Sequence, residues 1–219
     1  MSSPLIGLIF ATRAAIEPTL EGFARYAPEA ELQIFMDEGL LPAVQQAGGV
    51  TPPILRRFAA LLASAEESGV DGILFSCSVF SPSLSALEPF YSVPLMSVDA
   101  AMLREAAATD GRVGVIATVP KAEELTVAQL KEQAEALGTR LTVRSAAVPE
   151  AFACLGSDPA RHDALILEQA KKLAPDCDRL VLAQISMARA VPLLAPLGLP
   201  VLTSLESSVR SIMRKLVRP

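Results

Sequence analysis

Short apolar runs punctuate this chain, and most of them end in small or polar side chains. They cover residues 5–11, 31–36, 71–76, 94–98, 112–117, 140–145, 179–183 and 200–203. Runs of that length read as strands buried on both faces. Between them, apolar positions recur with helical spacing over 14–26, 53–68, 82–89, 121–137, 159–173, 188–196 and 205–216. Ser81-Pro82 and Asp158-Pro159 each place a capping residue before a proline, which predicts a helix start. Strands alternating with helices predict an α/β protein with parallel sheets and right-handed crossovers.

Two stretches of this pattern repeat each other. The run from Asp71 through Ile73, Leu74 and Phe75 to Ser76, Cys77 and Ser78 matches the run from Asp178 through Leu180, Val181 and Leu182 to Ala183, Gln184 and Ile185, 107 positions later. Ile6-Gly7-Leu8-Ile9 and Val113-Gly114-Val115-Ile116 match at the same offset. The repeat predicts two pseudo-symmetric lobes, each a short, mostly parallel sheet flanked by helices, with the active site between the lobes. The first lobe is expected over 1–98, with the C-terminal helix 204–219 packing back on it, and the second over 99–203. Residues 37–52 and 146–157 are expected to be loops that set specificity. Ligands of open α/β sheets bind at the carboxyl ends of the strands, so the duplicated strand ends bring Cys77 and Gln184 into equivalent positions.

Composition narrows the function classes. The 219 residues carry a net charge of −5 without a basic block, so no nucleic-acid partner is expected. Charged residues or prolines interrupt each apolar run before the roughly 18 residues that a membrane span needs, and the apolar start lacks a positive leader. The three cysteines, Cys77, Cys154 and Cys177, have no metal-ligand spacing and read as reduced thiols of a cytoplasmic protein. Neither a G-x-G-x-x-G nor a G-x-x-x-x-G-K-[ST] motif is present. The lone His162 reads as a solvated helix residue, and the basic run Arg210, Arg214, Lys215 and Arg218 as a complement to the last helical turn. No metal and no cofactor are therefore expected.

Cys77 is the chemical candidate. It follows an apolar strand, is flanked by Ser76 and Ser78, and precedes a helix expected near Pro82, whose free N–H groups would favour the thiolate. Cys154 lies in a loop-like Ala-Cys-Leu-Gly stretch, and Cys177 sits between Asp176 and Asp178; both read as structural.

These segments together resemble the aspartate/glutamate/hydantoin racemase superfamily. The resemblance rests on the Gly-Leu-Ile-Phe-Ala-Thr opening, Asp71 to Ser78, Val93-Pro94-Leu95-Met96, Val113 to Thr118, Asp178 to Met187 and Leu199-Pro200-Val201. It implies a two-lobed, cofactor-independent enzyme in which two cysteines flank the substrate α-carbon, one removing a proton and the other returning one. Cys77 matches the first cysteine, whereas Gln184 stands at the second. The Asp-Ser-Gly opening and Cys-Thr-His run of glutamate racemases are absent, so the hydantoin racemase, arylmalonate decarboxylase and maleate isomerase branches are nearer. The decarboxylase type also uses one thiol, but on the second strand.

Both chemistries require a carbanion held as an enediolate by preorganised donors. The candidates are the backbone amides of Ser78, Val79, Ile185 and Ser186, the hydroxyls of Thr12, Ser78, Thr118 and Ser186, and the Gln184 amide. Arg13 and Lys121 follow matching strands and are candidates for drawing in an anion. The sequence thus points to an isomerase of the racemase type acting on a small carboxylate, amino acid or hydantoin, with Cys77 as acid/base. A decarboxylating lyase and a binding protein without turnover are the alternatives. The partner is a small anionic or carbonyl-bearing substrate, and the oligomeric state, homo-oligomer included, stays open.

Overall fold

The computed structural model of the chain describes residues 3–216. Its first half runs β1 (Leu5–Phe10), α1 (Ile16–Tyr26), β2 (Glu31–Met36), α2 (Leu40–Ala47), α3 (Pro52–Glu67), β3 (Gly72–Phe75), α4 (Leu84–Leu87), β4 (Leu95–Ser97) and α5 (Val98–Ala107). The second half runs β5 (Gly111–Ala117), α6 (Pro120–Leu137), β6 (Leu141–Ala147), α7 (Pro149–Cys154), α8 (Pro159–Leu173), β7 (Arg179–Leu182), α9 (Val191–Leu194), β8 (Val201–Thr203) and α10 (Ser204–Leu216). The strands form two four-stranded sheets, ordered β2-β1-β3-β4 and β6-β5-β7-β8, and every pairing is parallel. The expected fold class is observed.

The repeat is written into the register. Ile9 pairs with Phe75 and Ile116 with Leu182, so the two sheets align at the 107-residue offset. An Asp carboxylate ties the strands together in each copy: Asp71 Oδ2 accepts from the Leu5 N–H at 2.7 Å, and Asp178 Oδ2 from the Arg112 N–H at 2.7 Å.

Contacts divide the chain into two units, Met1–Ala100 with Ser208–Pro219, and Ala101–Ser207. In the first, Phe58 stacks on Phe80 at 4.3 Å and meets Phe75 edge-on at 5.3 Å, inside a core that includes Ile9, Leu62 and Ile73. Helix α10 seats on this unit: a side chain at Gly72 would lie 3.3 Å from Leu216, and the Arg210 guanidinium sits 5.4 Å from the Tyr26 ring centre. In the second, the α5 residues Met102, Leu103, Ala106 and Ala107 are buried with Val113, Val115 and Val181. A further cluster joins Ile116, Ile166, Leu182 and Met187. Among the described residues, no helix is long and apolar enough to cross a membrane.

Several expectations need correction. The segments read as loops contain helices: α2 lies within 37–52 and α7 within 146–157, each with a proline in its first turn that resembled a loop signal. Helix α5 starts directly from β4 without turn residues, so nothing in the sequence announced it. The helices expected at 82–89 and 188–196 begin earlier, as 3-10 segments Ser78–Ser83 and Ile185–Ala190, and contain only four α-helical residues each. Pro82 lies inside the first 3-10 segment, where its missing N–H disfavours a regular α-helix. The expected Asp158 cap is present, its carboxylate accepting from the Arg161 N–H at 3.0 Å. Residues 217–219 of the expected C-terminal helix, including Arg218, lie outside the described residues.

Gly114 shows how tightly the second sheet is closed. A side chain there would stand 2.7 Å from Leu180 and 2.9 Å from Cys177 Sγ, whereas at the equivalent Gly7 the nearest atom is 3.3 Å away. Gly114→Ala is expected to cost ~1–3 kcal/mol and Gly7→Ala less, as checked by the two denaturation midpoints.

Candidate active site

Each sheet reverses its strand order beside its second-drawn strand, so the edge between β1 and β3, and between β5 and β7, is a topological switch point. At the first edge, Ser76 Oγ donates to the Ile9 carbonyl at 3.2 Å and Cys77 follows in extended conformation. The next residues turn into the 3-10 segment because the Phe80 N–H donates to the Cys77 carbonyl at 3.1 Å. The fully buried Phe80 ring, stacked on Phe58, fixes that turn. Cys77 is half-buried, and beneath it Ile9, Phe10, Ala11, Leu40, Phe58, Phe75 and Phe80 line a recess with no room for water.

This setting reverses the expectation of a thiolate. Burial pushes the Cys77 thiol up to about 11; the Val79 N–H opposes this, and the negative charge of Asp99 adds to it. The thiol is therefore protonated near neutral pH. Asp99, in the first turn of α5, is 5% exposed, and its Oδ2 has no hydrogen-bond partner among the described residues. Burial pushes its carboxyl up to about 7, with the Ser78 hydroxyl opposing the rise. Asp99 was missed in the sequence because the helix that carries it was missed. Its one available signal was a lone acid directly after the short strand 94–98.

At the second edge, Gln184 occupies the position of Cys77. Its Oε1 accepts from the Thr118 N–H at 2.6 Å, which identifies the oxygen and leaves the NH2 as a donor for another acceptor. The Met187 N–H donates to the Gln184 carbonyl at 3.0 Å, so the same 3-10 turn forms, with buried Met187 where the first copy has Phe80. Ile185 is buried and Ser186 half-buried. The Thr118 hydroxyl is buried without a partner among the described residues. In register, Thr118 corresponds to Ala11 rather than to Thr12. Thr12 is exposed and caps a 3-10 turn, its Oγ1 accepting from the Ala14 N–H at 3.4 Å.

Other candidates are engaged elsewhere. Arg13 forms a two-pronged contact with Glu38 at 2.7 and 2.9 Å, and Lys121 pairs with Glu124 at 2.9 Å, so both charges are compensated at the surface. Cys154 ends helix α7 rather than lying in a loop, and its thiol donates to the Ala151 carbonyl at 3.5 Å. Cys177 is buried against Gly114. His162 is not solvated: it is 0% exposed, and its Nδ1–H donates to Asp163 Oδ1 at 2.8 Å. Asp163 in turn receives Arg189 Nε at 2.9 Å, joining α8 to the 3-10 segment that follows Gln184.

Fold and site together define a duplicated parallel α/β protein with a thiol on one strand end and an amide on its counterpart. The model of the Asp/Glu/Hydantoin racemase family matches residues 12–212, and the chain belongs to that family. No curated protein sequence is significantly similar to it. Among solved structures it is similar to an aspartate racemase from Picrophilus torridus, with TM-score 0.72 and 12% identity over 97% of this chain and 94% of that one. An allantoin racemase from Klebsiella pneumoniae gives TM-score 0.72 and 18% identity over 97% and 87%. An arylmalonate decarboxylase gives 0.68 and 19% over 98% and 93%. These likenesses are of fold.

Asp99 links the site to stability. Its folded carboxyl holds a proton more tightly than the unfolded one, whose value is 3.8. The stability it contributes is therefore complete below about pH 3.8 and is lost as pH rises through about 7. Asp99→Asn is expected to leave the melting temperature at pH 3.5 nearly unchanged. At pH 8.5 it should raise stability by ~1 kcal/mol or more, about 2–4 °C. A thermal melt series across pH measures this.

Proposed function

We propose that the protein is a cofactor-independent enzyme of proton transfer at carbon, with Cys77 carrying the proton to or from the α-carbon of a small carboxylate, amino acid or hydantoin. The observation that carries this reading is the half-buried Cys77 at the carboxyl end of β3, above a dry apolar recess, in a racemase-family fold. Loss or gain of an α-proton leaves charge on the adjoining oxygens. The amides of Ser78, Val79, Ile185 and Ser186 and the Gln184 NH2 are the donors assigned to them, with the Ser78, Thr118 and Ser186 hydroxyls in support. Gln184 holds an oxygen but exchanges no proton, because an amide has no useful acid or base form. Proton delivery is then confined to one face of the planar intermediate.

One observation favours a second reading, a decarboxylating lyase. With its pKa held up to about 11, the Cys77 thiol stays protonated near neutral pH, so it holds a proton to deliver and has no base form with which to remove one. Decarboxylation needs only the second act: the C–C bond breaks, carbon dioxide leaves, and Cys77 protonates the resulting enediolate.

A panel of small α-substituted carboxylates, malonates and hydantoins, followed by proton NMR in deuterated water, tests both readings. Cys77→Ala is expected to lower turnover by roughly 100-fold or more, and Gln184→Ala by roughly 10-fold or more. Loss of optical rotation identifies the isomerase, and carbon dioxide with a one-handed product identifies the lyase. Full activity of Cys77→Ala overturns the Cys77 reading.

A further inference from the structure

Asp99 is a buried acid with no assigned task. It is 5% exposed, its Oδ2 is unpartnered among the described residues, its charge acts on Cys77, and the Ser78 hydroxyl acts on its carboxyl. Phe75 pairs with Ser97, so Cys77 and Asp99 each stand two residues beyond that pair, on the ends of neighbouring strands. The walls around the thiol are otherwise apolar: Ile9, Phe10, Leu40, Phe58, Phe75 and Phe80 from β1, α2, α3, β3 and the 3-10 turn. A carboxylate buried to this extent, with no ion pair among the described residues, is costly. Packing alone would be served by an apolar residue, and the duplicated half has one. Leu95 pairs with Ile73 where Val201 pairs with Leu180, so the position of Asp99 in the second copy is Leu205, which is also buried. The first copy thus carries thiol and carboxyl where the second carries amide and leucine. The two differences belong together.

We infer that Asp99 is the proton partner of Cys77, the group that recharges the thiol after it has protonated carbon. This rests on the proposed function of Cys77 and adds the residue that resets it. In the working step, the S–H bond of Cys77 breaks, a C–H bond forms at the carbanionic carbon, and a thiolate remains. The Asp99 carboxylic acid then gives its O–H proton to the sulfur, directly or across the Ser78 hydroxyl, and becomes a carboxylate. Asp99 recovers a proton from solvent after product leaves, so the net proton delivered comes from water. The second transfer runs downhill, because a carboxylic acid is a stronger acid than this thiol. The couple is therefore biased toward giving protons to carbon, the direction that a decarboxylation or a one-sided protonation uses. Asp99 acts through Cys77 and is a positioning and recharging residue rather than one that touches the reacting carbon.

The test reads the thiol first, without substrate. Cys77 alkylation by iodoacetamide is followed by peptide mass spectrometry from pH 6 to 11 in the full-length protein, in Asp99→Asn, and in Asp99→Leu, which installs the residue of the second copy. With the carboxylate removed, Cys77 ionises more readily, and alkylation at pH 9 is expected to rise roughly 3- to 10-fold in both variants. Labelling of Cys154 serves as the control and should stay unchanged. Equal Cys77 labelling in all three proteins overturns the pairing, even if Cys77→Ala has shown the thiol to be essential. Should neither variant fold, the unmodified protein decides: coupling gives the Cys77 alkylation profile a step near neutral pH besides the alkaline one, and a single ionisation counts against it. With an active substrate in hand, turnover of the unmodified enzyme should fall above neutral pH as Asp99 loses its proton. Asp99→Asn should be slower, with that fall absent; an unchanged pH profile in the variant overturns the recharging role. Inactive Cys77→Ala with coupled alkylation sustains both readings, whereas active Cys77→Ala with coupled alkylation removes the function and with it the recharging role.

Discussion

Register decides what this protein can do, and in each sheet one carboxylate pins it. Asp71 and Asp178 each accept from an N–H at the start of the neighbouring strand, Leu5 in β1 and Arg112 in β5, while their own N–H groups donate to the carbonyl of that same residue, at 2.7 and 2.8 Å. A slip of one residue would exchange the two faces of each strand, and it would carry Cys77 or Gln184 away from the sheet's carboxyl edge. Because β3 and β7 are buried along nearly their whole length, that slip would also bury the polar residues beyond them. The carboxylate contact thus works with core packing rather than in place of it. It explains why two sheets with little residue identity present their strand ends at the same depth.

The two edges share a backbone and diverge in chemistry. In both, the second residue after the strand is extended, its carbonyl closes a 3-10 turn, and a large apolar side chain three positions on anchors that turn. On this common frame the first copy builds a dry, weakly acidic thiol site, and the second builds a fixed amide. Gln184 spends its oxygen on the Thr118 N–H, so the amide can rotate little and its NH2 points where the frame aims it. The bridge from buried His162 through Asp163 to the exposed Arg189 holds the far end of the following turn to α8. The first copy has Leu55, Arg56 and Pro82 at the corresponding offset, so this polar brace belongs to the amide side alone.

The strands were legible because each is a short apolar run ended by turn residues, and the repeat because the offset of 107 survives in Asp71 and Asp178 as well as in the apolar positions. Cys77 and Gln184 were legible for the same reason: the repeat aligns them. What escaped reading depended on contacts remote in sequence. Asp99 looks like an ordinary charged residue until α5 is known to leave β4 without a loop. His162 looks solvated until the turn after Gln184 is seen packed against α8. Arg13 looks free to draw in an anion until Glu38, 25 positions on, takes its guanidinium. The thiolate expectation failed on magnitude: a short 3-10 turn offers little dipole, and burial in an aromatic recess outweighs it.

The placement of α5 and α10 bears on how such a chain can arise. Each helix leaves the last strand of its own sheet, yet the body of α5 counts with the second unit and that of α10 with the first. A chain of half this length, carrying one sheet and the helix that follows it, would have an uncovered sheet face and a helix with nowhere of its own to lie. Two such half-chains could satisfy both only by trading helices, as domain-swapped dimers do. Joining them end to end turns that exchange into an intramolecular one, which no longer depends on concentration. Once joined, the two strand ends are no longer bound to be identical, and one is free to keep a thiol while the other takes an amide.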